Sequence, residues 1–209
     1  MSSAAALVLL ALPAAAPASC RSRIGDRGHV VTQTRSAVVY WRNDDPSIPR
    51  TYYGCEFRTG KLRRINRFQE QRAAQFKLAG HYLGFVLWSE EGASHELVQR
   101  LEVYDLRAGR YRLSLGAVRP PTPPGDRLEE VRSYVLKPNA SVAWIAEYRP
   151  DPNDTATSFQ VDKVETTRED GFRMLDGGET IGPRSIALAD DGRRVYWRHG
   201  RAARSSTLR

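Results

Sequence analysis

Between Arg193 and Arg209 the chain carries six arginines and no acid, and between Lys61 and Lys77 it carries six basic residues and one acid. A guanidinium presents a planar fork of donors that grips a carboxylate or phosphate through two bonds at once, so clustered arginines are chemistry for holding anions. The contacts this predicts are Arg63, Arg64 and Arg67 in one group and Arg198, Arg201 and Arg204 in the other. Arginines that decorate solvated strand edges, where they suppress edge-to-edge pairing, are the plainer reading of the same residues. The chain of 209 residues has 32 basic and 24 acidic side chains, a net charge of +8, and only four of the basic residues are lysine. Such arginine-heavy usage also follows from a GC-rich genome.

Other candidate chemistry is weaker. Ser94-His95-Glu96 sets a nucleophile, a base and an acid side by side, but neighbours on a strand point to opposite faces and cannot form a relay alone. No G-x-S-x-G accompanies them. Asp151, Asn153, Thr155 and Asp162 fall in the register of a calcium loop without its glycine at the turn or its closing glutamate. His29, His81, His95 and His199 have no partners at metal-ligand spacing. The expectation is therefore a chain with no catalytic residue, no metal and no cofactor.

The leader carries more information. Met1 to Ser19 has no charged side chain, and Ala4 to Leu12 is an apolar run of nine. That run is too short to span a bilayer and matches the core of a signal peptide, although lysine and arginine are missing ahead of it. Ala16-Pro17-Ala18 supplies the small-x-small pattern for cleavage after Ala18. The organisation read from this is a signal peptide at 1–18, an N-terminal segment at 19–28 and one domain at 29–209. The mature chain would be secreted or attached to the cell envelope, with no transmembrane segment. Export argues against nucleic acid as the partner of the basic segments and favours an acidic protein, acidic lipid headgroups or an anionic envelope polymer. It also makes Cys20 and Cys55, the two cysteines, a natural disulfide. Lipidation of Cys20, leaving Cys55 as a lone thiol, is the alternative.

The elements that would position these groups follow from the tryptophans. Trp41, Trp88, Trp144 and Trp197 stand 47, 56 and 53 residues apart, and each closes or nearly closes a short apolar run. Periods of this size signal a repeat. A turn and another apolar segment precede each run, and Asn139 and Gly192 suit the left-handed conformation of the third and fourth turns. A second hairpin follows in the first two units, "CEFRTGKLRRI" from Cys55 and "YDLRAGRYRLSL" from Tyr104, with Gly60 and Gly109 at the bends. A looser version runs from Phe159 to Leu175. Four strands per unit, repeated nearly four times, is the plan of β-propeller blades with tryptophans packed between them. His29 to Thr34 should serve the first unit, leaving the last with three strands. Phe68 to Lys77 has a helix-favouring composition and predicts a turn or two of helix. Arg119 to Gly125, rich in proline, reads as an extended linker.

"LKPNASVAW" from Leu136 and "LADDGRRVYW" from Leu188 resemble the Leu-Ser-Pro-Asp-Gly-x-x-x-Ala-Tyr phrase of TolB-type propeller repeats. The Ser-Pro-Asp-Gly positions are Lys137-Pro138-Asn139-Ala140 in one copy and Ala189-Asp190-Asp191-Gly192 in the other, and the first two units share only the spacing and the tryptophan. Residues 30 to 208 also resemble exported proteins of GC-rich bacteria, through Tyr104-Asp-Leu-Arg-Ala-Gly-Arg and through Pro183-Arg-Ser-Ile-Ala-Leu with Tyr196-Trp197. The resemblance implies a propeller-like fold and protein contact as its common use, and it assigns no catalytic residue. The sequence thus predicts an all-β, propeller-like domain of about four blades, the last incomplete. The function it favours is an exported, non-catalytic binding scaffold with a basic face; the alternative is a hydrolase or lyase with a pocket at the channel mouth.

Overall fold

Runs of β-branched and aromatic residues between Gly, Asn and Pro become strands wherever one face can be buried. The computed structural model describes residues 18–43, 50–65, 72–91, 96–117, 129–149, 156–166 and 171–209. These form one helix, α1 (Ala18–Ile24), and four antiparallel sheets whose strands pair in chain order. The first sheet holds β1 (His29–Gln33), β2 (Ala37–Arg42), β3 (Thr51–Glu56) and β4 (Leu62–Arg64). The second holds β5 (Arg72–Ala79), β6 (Tyr82–Glu91), β7 (Glu96–Asp105) and β8 (Arg110–Gly116). The third holds β9 (Glu129–Leu136), β10 (Val142–Tyr148), β11 (Ser158–Val164) and β12 (Phe172–Gly178). The fourth has three strands, β13 (Ala187–Leu188), β14 (Arg194–His199) and β15 (Ala202–Thr207). The strand plan, the incomplete last sheet and the use of His29–Gln33 in the first sheet all match the expectation.

The sheets pack face to face in chain order, and their first strands meet: β1 on β5, β5 on β9 and β9 on β13. Apolar residues fill each seam. Val39 and Phe85 lie in the first, Leu101 and Val142 in the second, and Ile145 and Val195 in the third. The tryptophans sit in these seams, but not equivalently. Trp41 and Trp88 face the following sheet, whereas Trp144 and Trp197 face the preceding one. The middle seam therefore receives two tryptophans. Trp144 is fully buried there and its Nε1–H donates to Ala117 O at 2.8 Å. Trp41 is half-buried, stacked on His29 with ring centroids 4.3 Å apart and covered by the Arg50 guanidinium.

The first sheet's other face is covered by α1. Gly25, at φ +58°, ends that helix with its N–H on Arg21 O, a left-handed cap. Arg21 and Arg23 sit in the last turn, where cations suit the helix dipole. Cys20 is bonded to Cys55 of β3, as expected, so its sulfur is not open to a lipid. Ile24 packs beside them with Val38, and Tyr40 OH donates to Arg23 O.

Two expectations are corrected. Residues 72–77 are strand, not helix: β5 pairs with β6, and Phe76 packs into the first seam while Gln75 Nε2–H reaches Val131 O at 2.9 Å. Tertiary packing overrides the helical preference of Ala73-Ala74. The left-handed residue of the third turn is Ala140, at φ +68°, and Asn139 instead accepts Ser141 N–H through its side chain. Gly192 takes the equivalent place in the fourth turn, as expected, at φ +65°. The leader at 1–17, Phe68, the linker at 119–125, the Ser94-His95 pair and Asp151, Asn153 and Thr155 all lie outside the described residues. Asp162, the last member of the calcium register, is a buried residue of β11 whose carboxylate accepts Gln160 Nε2–H.

Candidate functional site

The hairpins named from their sequence phrase are built alike. Glu56 Oε2 accepts Thr59 N–H at 2.9 Å, Asp105 Oδ1 accepts Ala108 N–H at 2.8 Å, and Gly60 and Gly109 close the two turns at positive φ. Arg107 reaches from the second hairpin to Glu56, 3.4 Å away. That acid is consumed in holding two sheets together.

The five predicted arginines that lie among the described residues do not form two patches. Arg63 opposes Gly54 in the first sheet and turns toward the second, where its guanidinium lies against Gly109; a Cβ there would be 2.7 Å from Arg63 Cζ. Arg64 opposes Tyr53 and points to the other face, and Arg67 lies outside the described residues. Arg198 is on the exposed face of β14, Arg201 is in the turn, and Arg204 opposes Trp197 on the face turned to the third sheet. The period of two that makes a strand divides each cluster between two faces.

Arg198 nevertheless belongs to a site. An open cleft of about 750 Å³ lies where the third sheet meets the fourth, lined by Arg132, Glu147, Arg184, Ser185 and Arg198 with Gly182 and Pro183. Gly182-Pro183-Arg184-Ser185 is a β-turn closed by Ser185 N–H on Gly182 O, with proline where its fixed φ suits the bend. The turn is tied to β14 by Gly182 N–H on Arg198 O and by Arg198 N–H on Ser185 Oγ, both at 2.9 Å. Ser133 Oγ–H donates to Pro183 O at 2.7 Å and ties it to the third sheet. Arg184 is thus held at an exposed tip beside Arg198.

Arg132 is the extra residue of a bulge in β9, since Ser133 opposes Ile145 and Val131 opposes Ala146. The bulge re-aims its side chain between Glu147 and Glu130, the latter at 2.6 Å, and the hydrogen bond it donates to Glu147 holds the guanidinium charged. Arg184 and Arg198 have no acidic partner among the described residues. The cleft therefore offers two uncommitted guanidiniums beside a neutralised one. Arg184 was missed from sequence as a contact; its signal was the Gly-Pro-x-Ser turn, which places the middle residue in solvent. Arg132 had none, because a bulge leaves no mark on the alternation.

A second polar cluster locks the same two sheets. Asp176 of β12 accepts Trp197 Nε1–H at 2.7 Å and Gly177 N–H at 3.0 Å, and stands 3.0 Å from His199 Nδ1. Burial pushes its carboxyl up, but the hydrogen bonds from Trp197, His199 and Gly177 outweigh burial and hold it below the ordinary aspartate value. A carboxyl lowered by folding adds stability above its unfolded pKa, and this is lost as pH falls through the lower folded value. Asp176→Asn should therefore flatten the decline in stability from the ordinary carboxylate range downward, measured as urea midpoints across acid pH. A decline as steep as in the parent chain would show that Asp176 does not carry it.

The architecture is that of a β-propeller-like fold. The β-propeller domain of the Trilobed protease from Pyrococcus furiosus, which has an open velcro topology, superposes with a TM-score of 0.51 at 10% identity, over 85% of this chain and 57% of that one. KlAtg21 in complex with the coiled coil of AgAtg16 gives 0.51 at 14% identity, over 86% of this chain and 51% of that one. The chain thus spans little more than half the length of either. No protein-family model matches the chain, and no curated protein matches it in sequence. Among the described residues no helix is long and apolar enough to cross a membrane.

Proposed function

We propose that the chain is an exported, non-catalytic binding scaffold of the TolB-like repeat type that holds an anionic partner in the cleft between its third and fourth sheets. The observation that carries this reading is the pair Arg184 and Arg198, exposed side by side in a cleft and without an acidic partner among the described residues. The Cys20–Cys55 bridge supports the extracytoplasmic part. The Ser185 hydroxyl donates to Gly182 O and accepts Arg198 N–H, so it is committed to the turn; this favours holding a ligand over attacking one.

The test is capture of purified protein on phosphate- and carboxylate-bearing envelope polymer. Capture should fall as salt rises from roughly 50 to 500 mM, because the Debye length shrinks from about 14 to about 4 Å. Arg184→Gln with Arg198→Gln should weaken it by about tenfold or more with little change in thermal stability. Arg64→Gln, on the first sheet, should leave it unchanged. No capture at low salt, or equal capture by the cleft variant, would overturn the reading, and turnover of the polymer would replace it with the enzyme.

A further inference from the structure

In the first three sheets the third strand has a neighbour outside it: β4 on β3, β8 on β7, β12 on β11. In the fourth sheet β15 holds the place of the third strand and, among the described residues, is itself the edge. It pairs with β14 over six unbroken positions, from Arg194↔Thr207 to His199↔Ala202, so no bulge bends it away, and it contains no proline. Those are two of the usual means of blunting an edge; charge is another, and β15 carries it at Arg204.

The hydrogen bonds show which groups are open. Leu208 N–H donates to Arg193 O. With a period of two, Ser206, Arg204 and Ala202 turn their backbone groups to β14, and Ala203, Ser205 and Thr207 turn theirs outward. The outward carbonyl of Thr207 accepts Lys163 Nζ–H at 2.7 Å, an outward direction confirmed by a bond to the third sheet. What remains without a bond among the described residues is a row made of both backbone groups of Ala203 and Ser205 and the N–H of Thr207. The side chains along it are small, and Ala202, Ala203 and Ser205 are exposed. Arg201 and Arg204 flank the row, within a segment of six arginines and no acid.

We propose that the outer edge of β15 is a strand-addition site that takes an extended, acid-rich peptide segment of another protein as the fourth strand of this sheet. The backbone row supplies the pairing and the arginines select the charge. A second copy of the chain is the wrong occupant, because β15 laid on β15 sets arginine against arginine. The site lies on the other side of β14 from the turn that bears Arg184, so it stands or falls apart from the cleft.

The probe is a short synthetic peptide alternating glutamate with valine, titrated onto the full chain. Amide exchange at Ala203 and Ser205 should slow by about tenfold or more on saturation, and the affinity should fall with salt. Ala203→Pro removes an outward N–H without touching the bonds to β14 and should weaken binding by about tenfold or more. The same peptide N-methylated along its pairing edge should fail against the unaltered chain, which keeps the test valid if the proline variant does not fold. Arg201→Gln with Arg204→Gln should lower affinity and salt dependence, whereas Arg184→Gln with Arg198→Gln should change neither. The proposal is overturned if no binding is seen, if protection appears elsewhere, or if the N-methylated peptide binds as well as its parent. It is overturned in favour of self-association if the chain alone forms a dimer that Ala203→Pro dissolves.

Discussion

Reducing the protein, or replacing Cys20 and Cys55 with alanine, should lower its unfolding free energy by about 3–4 kcal/mol, the loop entropy expected for a crosslink spanning 35 residues. The effect should also be local before it is global. Helix α1 has seven residues, too few to persist without its contacts. Its apolar hold on the first sheet is chiefly Cys20 and Ile24 against Val38 and Cys55. Without the bridge, α1 should leave the sheet while the four sheets remain folded. Trypsin should then cut after Arg21 and Arg23 in reduced protein under conditions that spare the oxidised form. Denaturation midpoints with and without reductant, and the mass of the first tryptic products, check both parts. Equal midpoints would mean that the helix holds itself in place.

Trp144→Ala should be the most damaging single truncation, at about 4–5 kcal/mol. A buried tryptophan cut to alanine costs roughly 3–5 kcal/mol, and an orphaned Ala117 carbonyl adds to it. Trp41→Ala should cost about half as much, because its ring is half-exposed and its covering groups, His29 and Arg50, can close over the gap. Trp144→Phe should recover the packing in part but not the hydrogen bond. Urea denaturation of the three variants gives the ranking. Equal losses for Trp144→Ala and Trp41→Ala would refute the unequal roles assigned to the two seams.

The strand plan was legible because its signals are local. Each Trp closes or nearly closes a short apolar run bounded by turn residues, and Gly60, Gly109 and Gly192 stand where the backbone needs positive φ. Three things were not legible, each because a distant group decides it. Gln75 takes φ +54° in a strand, which its own neighbours disfavour but Val131 and Tyr134 reward. Ala140 rather than Asn139 turns left-handed; its methyl is buried in the middle seam, an apolar gain that offsets the strain. The facing of each Trp is the third: Trp41 and Trp88 turn to the following sheet and Trp144 and Trp197 to the preceding one, according to the sheet that packs on each side. The candidate site was half legible. Arg198 was among the predicted residues, and Arg63 and Arg204 were split from their neighbours by the same alternation that revealed the strands. Arg184 reaches the cleft through a turn, and Arg132 through a bulge, which composition does not report.

Helix α1 seals one end of the row of sheets, whereas the exposed face of the fourth sheet bears Arg194, Tyr196 and Arg198 in solvent, Tyr196 being 39% exposed. A row of like units with two sticky ends polymerises head to tail, and a filament has no size limit. Here a covalently stapled helix covers one end, so a head-to-tail contact would have to form against α1 rather than against an open sheet face. The bridge between Cys20 and Cys55 thus fastens a cap as well as bracing the fold: it gives the stack a direction.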